Sequence, residues 1–371
     1  MSATFTADWL MRQEFPPVKY VVPGVIPEGM TLLVAAPKIG KSWMVLGSAI
    51  ALSEGSDALG CIPVGEPRPV LYLALEDGPR RLQDRMMKLG AFAASPLLEF
   101  RTAMGEAAVT ETIAAFMTAH AGADPVVILD TLGKVMPPAG NASQYGHDYR
   151  VLSMLKGTAD AVPGSSLVIV HHTRKSDGGD FLDAVSGTQG IAGAADTVLV
   201  LKRERHELSG TLQVTSRDAA EGEYALSMVD GAWTLDGADL TSAAQSAQTM
   251  KQTQGVGDRM ADVIEAVSRR PEGVTPKDLR ALLPDVSNVD EYLRRAVTAG
   301  RLAKLTRGLY APVSFVSSVS SPAPEPTETH ASHTNHRGVL GVGNWPDPGC
   351  CSHGITVDAR CTKCGGKAVA A

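Results

Sequence analysis

The stretch Ala35-Ala36-Pro37-Lys38-Ile39-Gly40-Lys41-Ser42 constrains the fold more than any other part of the sequence. An apolar run from Met30 to Val34 precedes it and predicts a buried strand, and Trp43 to Ser53 predicts the helix that follows. A strand, a short loop and a helix opening with Gly-Lys-Ser are typical of a phosphate-binding loop. The loop N–H groups and the positive end of the helix favour an anion at one point.

Two side chains of this loop indicate a nucleoside triphosphate with Mg²⁺. Lys41 would reach the β- and γ-phosphates, and the Ser42 hydroxyl would ligate Mg²⁺. We expect nucleotide contacts along the whole run from Ala35 to Trp43. Ala35 stands where the motif usually has its first glycine, so a left-handed backbone there would cost free energy.

Composition limits the class of protein. The 371 residues suffice for about two or three domains, and 44% hydrophobic with 20% charged residues describes an ordinary globular protein. The net charge of −6 argues against a uniformly basic nucleic-acid coat, although a local basic groove remains compatible with it. No apolar run reaches the roughly 18 to 20 residues of a membrane span, and no signal-peptide pattern opens the chain. We therefore expect a cytoplasmic protein without a membrane partner.

Three further apolar runs each end in polar side chains. Val70 to Leu75 precedes Glu76 and Asp77, Pro125 to Asp130 ends in an acid, and Ser166 to His172 ends in two histidines. Near-continuous apolar runs that alternate with helical stretches predict a parallel sheet covered on both faces. The polar strand ends should gather at one edge, where open α/β sheets bind ligands.

The pattern changes after Asp196. Three shorter strands, 197–202, 210–215 and 224–228, predict an antiparallel extension of the same sheet. The predicted organisation is a lead-in at 1–22, an ATPase-type α/β domain at 23–237, an Ala/Ser/Gln/Thr-rich linker at 238–257, a small domain at 258–313, a disordered linker at 314–349 and a zinc knuckle at 350–366.

The strand-end residues predict the chemistry of triphosphate hydrolysis. Asp130 has the placement of a second Mg²⁺ contact, and Glu76 sits where a base could orient the attacking water, with Asp77 as its alternative. His172 could sense the γ-phosphate; His171 is the alternative, because neighbouring side chains on a strand face opposite ways.

An arginine supplied by a neighbouring subunit could stabilise the transferring charge. The candidates are Arg203, Arg205 and Arg217, of which we prefer Arg217. Each could equally be a solvated surface residue.

Residues 258–313 carry three amphipathic helical stretches and a short hairpin, which is the element set of a winged helix. The third helix, 288–299, would be the recognition helix. The phosphate contacts would come from five basic residues: Arg294, Arg295, Arg301, Lys304 and Arg307. Asp290 and Glu291 at the start of that helix favour the alternative, a protein-binding module.

The C-terminal tail contains Cys350-x₂-His353 and Cys361-x₂-Cys364, which is ligand spacing for a structural, tetrahedral Zn²⁺ site. Cys351 could replace Cys350 as a ligand.

The chain resembles the RecA-like ATPases of the RepA/DnaB/KaiC type, and in particular the RepA-like replicative helicases of plasmids, phages and mobile elements. The resemblance covers about residues 23–236 and implies a ring, usually a hexamer, that binds ATP at subunit interfaces and single-stranded DNA in its channel. It implies Glu76 as the catalytic glutamate, Asp130 as the Walker B aspartate and His172 as the sensor. The segments that carry it are 35–42, 72–77, 127–132, 171–175, 186–196 and 216–218.

Two principal hypotheses follow. The first is a ring-forming, ATP-hydrolysing DNA helicase of phage or plasmid replication, and the second is an ATP-switched DNA-binding regulator or helicase loader that unwinds nothing. A scaffold with a degenerate ATP site is a third. The sequence leaves open whether the tail contacts primase, polymerase or DNA.

Overall fold

The structure is a computed structural model that describes residues 4–93, 95–104, 109–136, 144–172, 193–204 and 206–313. The predicted zinc knuckle at 350–366, the predicted linker at 314–349 and Arg205 lie outside these residues.

A nine-stranded sheet forms the centre of the molecule. Its strand order is β13-β12-β11-β10-β3-β9-β8-β6-β7, and the six strands from β10 to β7 run parallel. The strands are β3 (Gly29–Ala35), β6 (Val70–Ala74), β7 (Leu98–Arg101), β8 (Val126–Asp130), β9 (Ser166–His172), β10 (Thr197–Arg203), β11 (Ser209–Ser216), β12 (Gly222–Val229) and β13 (Ala232–Leu235).

Helices cover both faces of this sheet, because its central strands are apolar on both sides. The helices are α2 (Lys41–Glu54), α3 (Pro79–Lys88), α4 (Val109–Ala119) and α5 (Gln144–Asp160), with α1 (Ala7–Met11) before them. Side chains of α2 and α3 pack into one core, and those of α4 and α5 pack into the core on the opposite face. The predicted α/β class with a mainly parallel sheet is confirmed.

The register brings the polar strand ends together as predicted. Ala35 at the end of β3 pairs with His172 at the end of β9, and Asp130 at the end of β8 pairs with Val170 of β9 and Ala74 of β6. The strand of the loop and the strand of Asp130 are therefore separated by β9 alone.

The antiparallel extension is also confirmed, and it is longer than predicted. Strands β10 to β13 pair antiparallel in chain order, and the sequence analysis missed β13. It also missed β7, α4 and two short pairs, β1 (Tyr20–Val22) with β2 (Ile26–Pro27) and β4 (Asp57–Ala58) with β5 (Ile62–Pro63). Strands of two to four residues carry little periodicity, which explains most of these omissions.

The segment 238–257, predicted as a linker, contains a 14-residue helix, α6 (Leu240–Thr253), that was not predicted. Asp239 caps its start by accepting a hydrogen bond from the Ser242 N–H. Ala243 and Ala247, one turn apart, are buried. Of the Ser, Thr and Gln side chains on this helix, which suggested a linker, Thr241 and Gln245 are exposed and the others are half-buried.

Residues 258–313 form three helices and a hairpin, as predicted. These are α7 (Asp258–Ser268), α8 (Pro276–Leu282), α9 (Val289–Thr298), β14 (Leu302–Thr306) and β15 (Leu309–Pro312). They enclose a core of their own that includes Val263, Leu279 and Leu293. Among the helices that the structure describes, none combines the length and apolar character that a bilayer crossing requires.

Candidate functional site

The predicted phosphate-binding loop joins the end of β3 to the start of α2. Lys38 and Gly40 have left-handed backbones, with φ of 69° and 109°. Ala35 does not: it is the last residue of the buried strand β3. The expected cost of an alanine at this position is therefore not incurred, because the left-handed turns fall later in the loop.

Side chains of the antiparallel extension fix Gly40. A Cβ at Gly40 would lie 2.9 Å from both Met228 Sδ and Trp233 Nε1, so no larger residue fits. Trp233 Nε1 also donates a 3.0 Å hydrogen bond to the Gly40 carbonyl oxygen. Sequence reasoning missed Trp233, because β13 itself was missed and an indole carries no signal of what it contacts.

Lys41 is buried at the first position of α2. Its Nζ donates hydrogen bonds to the carbonyl oxygens of Ala35 (2.8 Å) and Ala36 (2.9 Å), and it lies 2.9 Å from His172 Nδ1. Burial lowers the pKa of Lys41 to about 8, against the opposing charges of Asp130 and Glu76. The carboxylates predicted for catalysis therefore act on the lysine predicted to hold phosphate.

Asp130 is buried at the end of β8, only 3% exposed. Its Oδ2 accepts a 2.8 Å hydrogen bond from the hydroxyl of Tyr72 on β6. Burial, with the charge of Asp130, raises the pKa of Tyr72 well above its usual value, so the hydroxyl stays protonated and donates a hydrogen bond to the carboxylate. Tyr72 is a supporting residue that the sequence analysis missed; a hydroxyl-bearing residue inside an otherwise apolar run was the available signal.

The structure separates the two carboxylates that follow β6. The Asp77 side chain is 6% exposed and forms ion pairs with Arg81 (2.8 Å) and Arg85. Glu76 is exposed, and its charge acts on the pKa of both Lys41 and His172. Glu76 thus faces the loop, whereas Asp77 is engaged with α3.

The two histidines at the end of β9 also separate. Burial, followed by the charge of Lys41, lowers the pKa of His172, so a neutral ring lies beside Lys41. Burial lowers the pKa of His171 to about 4, and the neighbouring charges include that of Asp148 on α5. His172 is therefore the histidine at the phosphate-binding loop.

Arg217 lies at the other end of the sheet. Its N–H donates to the Asp196 carbonyl oxygen, and the Asp196 N–H donates to Met30 at the start of β3. Its side chain is 63% exposed and approaches Asp196 at 3.5 Å. The seven residues of β3, about 20 Å long, separate it from the loop of its own chain.

Arg203 lies at the same edge as the loop but is engaged there. Its guanidinium stacks 5.6 Å from the centre of the Trp233 ring and donates to the Glu207 carbonyl oxygen.

The residues present fit a nucleotide with Mg²⁺. The buried amine of Lys41, Ser42 in the first turn of α2 and the carboxylate of Asp130 meet where β3 and β8 end. Among the described residues no group of three or more His, Cys, Asp and Glu could hold a metal. Mg²⁺ needs only one or two protein ligands beside phosphates and water, so this donor set is compatible with it. The predicted Zn²⁺ ligands Cys350, His353, Cys361 and Cys364 lie outside the described residues.

Of the basic residues predicted to contact DNA phosphates, Arg301 has a structural role. Its Nη1 donates to the carbonyl oxygens of Gln252 and Gln254 (3.1 Å to the latter) at the end of α6. Lys304 lies 6.0 Å from the Tyr310 ring, and Arg294, Arg295 and Arg307 are exposed. Asp290 at the start of α9 pairs with Arg280.

A protein-family profile described as an AAA domain matches residues 2–178, slightly under half of the chain. The match contains the loop, Glu76, Asp130 and His172, and ends before Arg217.

The fold is also similar to three solved structures. The ATPase domain of G40P has 16% identity and a TM-score of 0.44, over 56% of this chain and 84% of that one. A DnaB-like replicative helicase, described with its interactions with primase, has 15% identity and a TM-score of 0.47, over 63% and 67%. The RadB recombinase has 13% identity and a TM-score of 0.41, over 58% and 91%.

Proposed function

We propose that this protein is a RecA-like P-loop ATPase that works as a ring-forming DNA helicase. The observation that carries the ATPase proposal is the meeting of four side chains at one sheet edge. Lys41 lies 2.9 Å from His172, and the charges of Asp130 and Glu76 both act on it. The match to an AAA domain over residues 2–178 supports the same proposal.

Each side chain has a distinct task in this proposal. Loop N–H groups and Lys41 bind the β- and γ-phosphates. Ser42 and Asp130 would hold Mg²⁺, which would neutralise charge on the phosphate oxygens. Tyr72 fixes the Asp130 carboxylate through its 2.8 Å hydrogen bond. Glu76 orients the attacking water and accepts its proton, and His172 contacts the γ-phosphate.

Arg217 supports assembly into a ring. It cannot reach the phosphates of its own chain, because β3 lies between them, yet its side chain is largely exposed. A second copy could present its loop to Arg217, which would then stabilise the transferring charge as an arginine finger. Hydrolysis would therefore require contact between subunits, and a hexamer is the assembly that we propose.

Single-stranded DNA is the proposed substrate of movement, and phage or plasmid replication is the proposed setting. Primase or polymerase are proposed partners. In the alternative proposal the protein is an ATP-switched DNA-binding regulator or helicase loader without unwinding activity. Asp290 and Glu291 place acidic groups at the start of α9, where a recognition helix normally contacts bases, and this favours a protein-binding role for residues 258–313. We propose that residues 258–313 form a winged helix.

The test is ATP hydrolysis with and without single-stranded DNA, for the wild type, Lys41→Ala and Glu76→Gln. Glu66→Gln is the matched control, because Glu66 is an exposed glutamate in the connection between β5 and β6. Strong stimulation by DNA that both site variants abolish and the control retains would support the motor, and unwinding of a forked duplex would then identify a helicase. ATP binding without turnover, unchanged by DNA, would instead support the regulator.

A further inference from the structure

Asp77 pairs with Arg85, which in turn contacts Trp43, and the proposed chemistry uses none of these three side chains. Asp77 directly follows Glu76, and its side chain is 6% exposed. Arg81 and Arg85, which lie one turn apart on α3, both pair with it from the helix that follows. Arg81 also approaches the Glu76 carbonyl oxygen at 3.4 Å. The position of the Glu76 backbone is therefore set by α3.

Arg85 extends this connection to the phosphate-binding loop. Its guanidinium lies 5.2 Å from the centre of the Trp43 ring, within the range of a cation–π contact. The Arg85 side chain is only 18% exposed, so both of its contacts are shielded from water. Trp43 directly follows Ser42 in the first turn of α2. One guanidinium thus touches the segment of Glu76 and the helix of Lys41 and Ser42.

The antiparallel extension holds the Trp43 ring in place. A Cβ at Gly231 would lie 2.3 Å from two ring carbons of Trp43, so the backbone between β12 and β13 lies against the indole. Two residues later, Trp233 bonds to the Gly40 carbonyl oxygen. The ring that Arg85 contacts is therefore seated on the strands that also support the loop.

Arg85 is also close to the support of Asp130. After burial and Asp130 itself, the charges of Asp77 and Arg85 act on the pKa of Tyr72, the former raising it and the latter lowering it. The guanidinium is thus near the Tyr72–Asp130 hydrogen bond as well as the segment of Glu76.

We infer that Arg85 is a positioning residue for the proposed ATPase: by joining Asp77 to Trp43, it holds the Glu76 carboxylate at a fixed distance from the nucleotide bound by Lys41 and Ser42. This inference rests on the proposed function. Arg85 acts through the two residues that it connects, neither of which reacts.

Loss of the Arg85 side chain should lower the turnover rate and leave the affinity for ATP nearly unchanged. Loss of Arg85 frees the segment of Glu76 to move, and a displacement of about 1 Å at a reacting group can cost up to about 100-fold in rate. Nucleotide binding depends on the loop and Lys41, which remain. We therefore expect Arg85→Ala to lower kcat by about tenfold or more and to change the Kd for ATP by less than about threefold.

The experiment compares Arg85→Ala, Arg85→Lys and Arg80→Ala in the full-length protein by steady-state hydrolysis and by calorimetric binding of ATP. Arg80 is the matched control, because it is an exposed arginine on the same helix and lies outside the connection. Low-millimolar guanidinium should restore part of the turnover of Arg85→Ala and leave Arg80→Ala unchanged, an effect that a purely structural loss would not show. Arg85→Lys should recover part of the rate, because it keeps the ion pair with Asp77 and loses the planar stack on Trp43.

A fold-preserving variant guards against loss of structure. Arg85→Ala leaves a buried carboxylate short of one partner, whereas Asp77→Asn with Arg85→Gln removes both charges and can keep a hydrogen bond. The double variant should also combine near-normal ATP affinity with low kcat. The positioning role would be overturned if the double variant and Arg85→Ala both kept the wild-type kcat. It would also be overturned if kcat fell only as much as the affinity for ATP. Either result would leave the ATPase proposal intact. A wild-type protein that hydrolyses no nucleotide would overturn both.

Discussion

The parallel and antiparallel halves of the sheet contribute to the same site in different ways. Strands β3, β6, β8 and β9 end in the groups that would perform chemistry, including Lys41, Glu76, Asp130 and His172. Strands β12 and β13 contribute no charged group to the site, and instead place Met228, Gly231 and Trp233 against the loop and its helix. The difference separates the residues that react from those that hold them, and five predictions test that separation.

Glu76→Gln should have the largest effect, because it removes the proposed general base from the parallel half. We expect kcat to fall by about 100-fold or more, with ATP binding retained, in a hydrolysis assay beside calorimetry. Asp77→Asn should lower kcat less than Glu76→Gln does and should also lower thermal stability, since Asp77 is buried and paired with two arginines. If Asp77→Asn abolished turnover without lowering the Tm, while Glu76→Gln kept normal turnover, the assignment of the two carboxylates would be reversed.

Gly231→Ala should have the next largest effect, although Gly231 carries no chemistry. Its φ is 94°, and its Cβ would overlap the Trp43 ring. Strain and overpacking together should lower the free energy of unfolding by about 3 kcal/mol, measured by urea denaturation. Gly65→Ala is the control, because Gly65 has a φ of 80° but no atom within 4 Å of its Cβ position. Equal losses in the two variants would show that Trp43 does not lie against Gly231.

The affinity for ATP should fall as the pH rises through about 8, where the pKa of Lys41 lies. Phosphate favours the charged amine, so binding above that pH must take up a proton, and affinity should fall by up to about tenfold for each pH unit. Titration calorimetry between neutral and alkaline pH measures this. In Lys41→Arg, which stays charged, the slope should disappear.

Folding stability should change in the opposite direction over the same range. The folded pKa of Lys41 is about 8 and the unfolded value is 10.5, so the unfolded chain binds more protons between these limits. This group alone therefore makes the folded state more stable as the pH rises through that window. A slope of affinity that persisted in Lys41→Arg would have to come from another group.

Trp233→Phe should have the smallest effect. It removes the hydrogen bond to the Gly40 carbonyl oxygen and keeps most of the aromatic packing. We expect a loss of about 1 kcal/mol in the free energy of unfolding and a weaker affinity for ATP. Trp9→Phe in α1 is the control, because Trp9 is 46% exposed. An affinity that did not change would mean that the antiparallel half supports the fold without supporting the loop.

The two halves also differ in how far the sequence predicts them. Ser166–His172 was predicted to the residue, and β3, β6 and β8 within one residue, because a doubly covered strand must be apolar along its length. The acids and histidines at their ends stand out for the same reason. Glu76 was preferred to Asp77, but the sequence could not exclude Asp77, because the distinction depends on which carboxylate meets Arg81 and Arg85 after α3 has formed.

The supporting residues could not be predicted for a related reason. Trp233, Met228 and Gly231 acquire their role through contacts with residues almost 200 positions earlier in the chain. A tryptophan in a four-residue strand reads as ordinary core. Ala35 shows the converse, since the motif predicted strain at a position that the structure leaves in a regular strand.

Helix α6 has a mechanical consequence. A flexible connection of about 20 residues would have a root-mean-square end-to-end distance of about 25 Å, so the C-terminal helices could take many positions relative to the sheet. Helix α6 instead lies against β12, with Lys251 paired to Glu223, and its end is bonded to Arg301 before the hairpin. These contacts connect residues 258–313 to the sheet through a helix. A partner bound to residues 258–313 is therefore held in a fixed orientation relative to the sheet, and a displacement of β12 would move both.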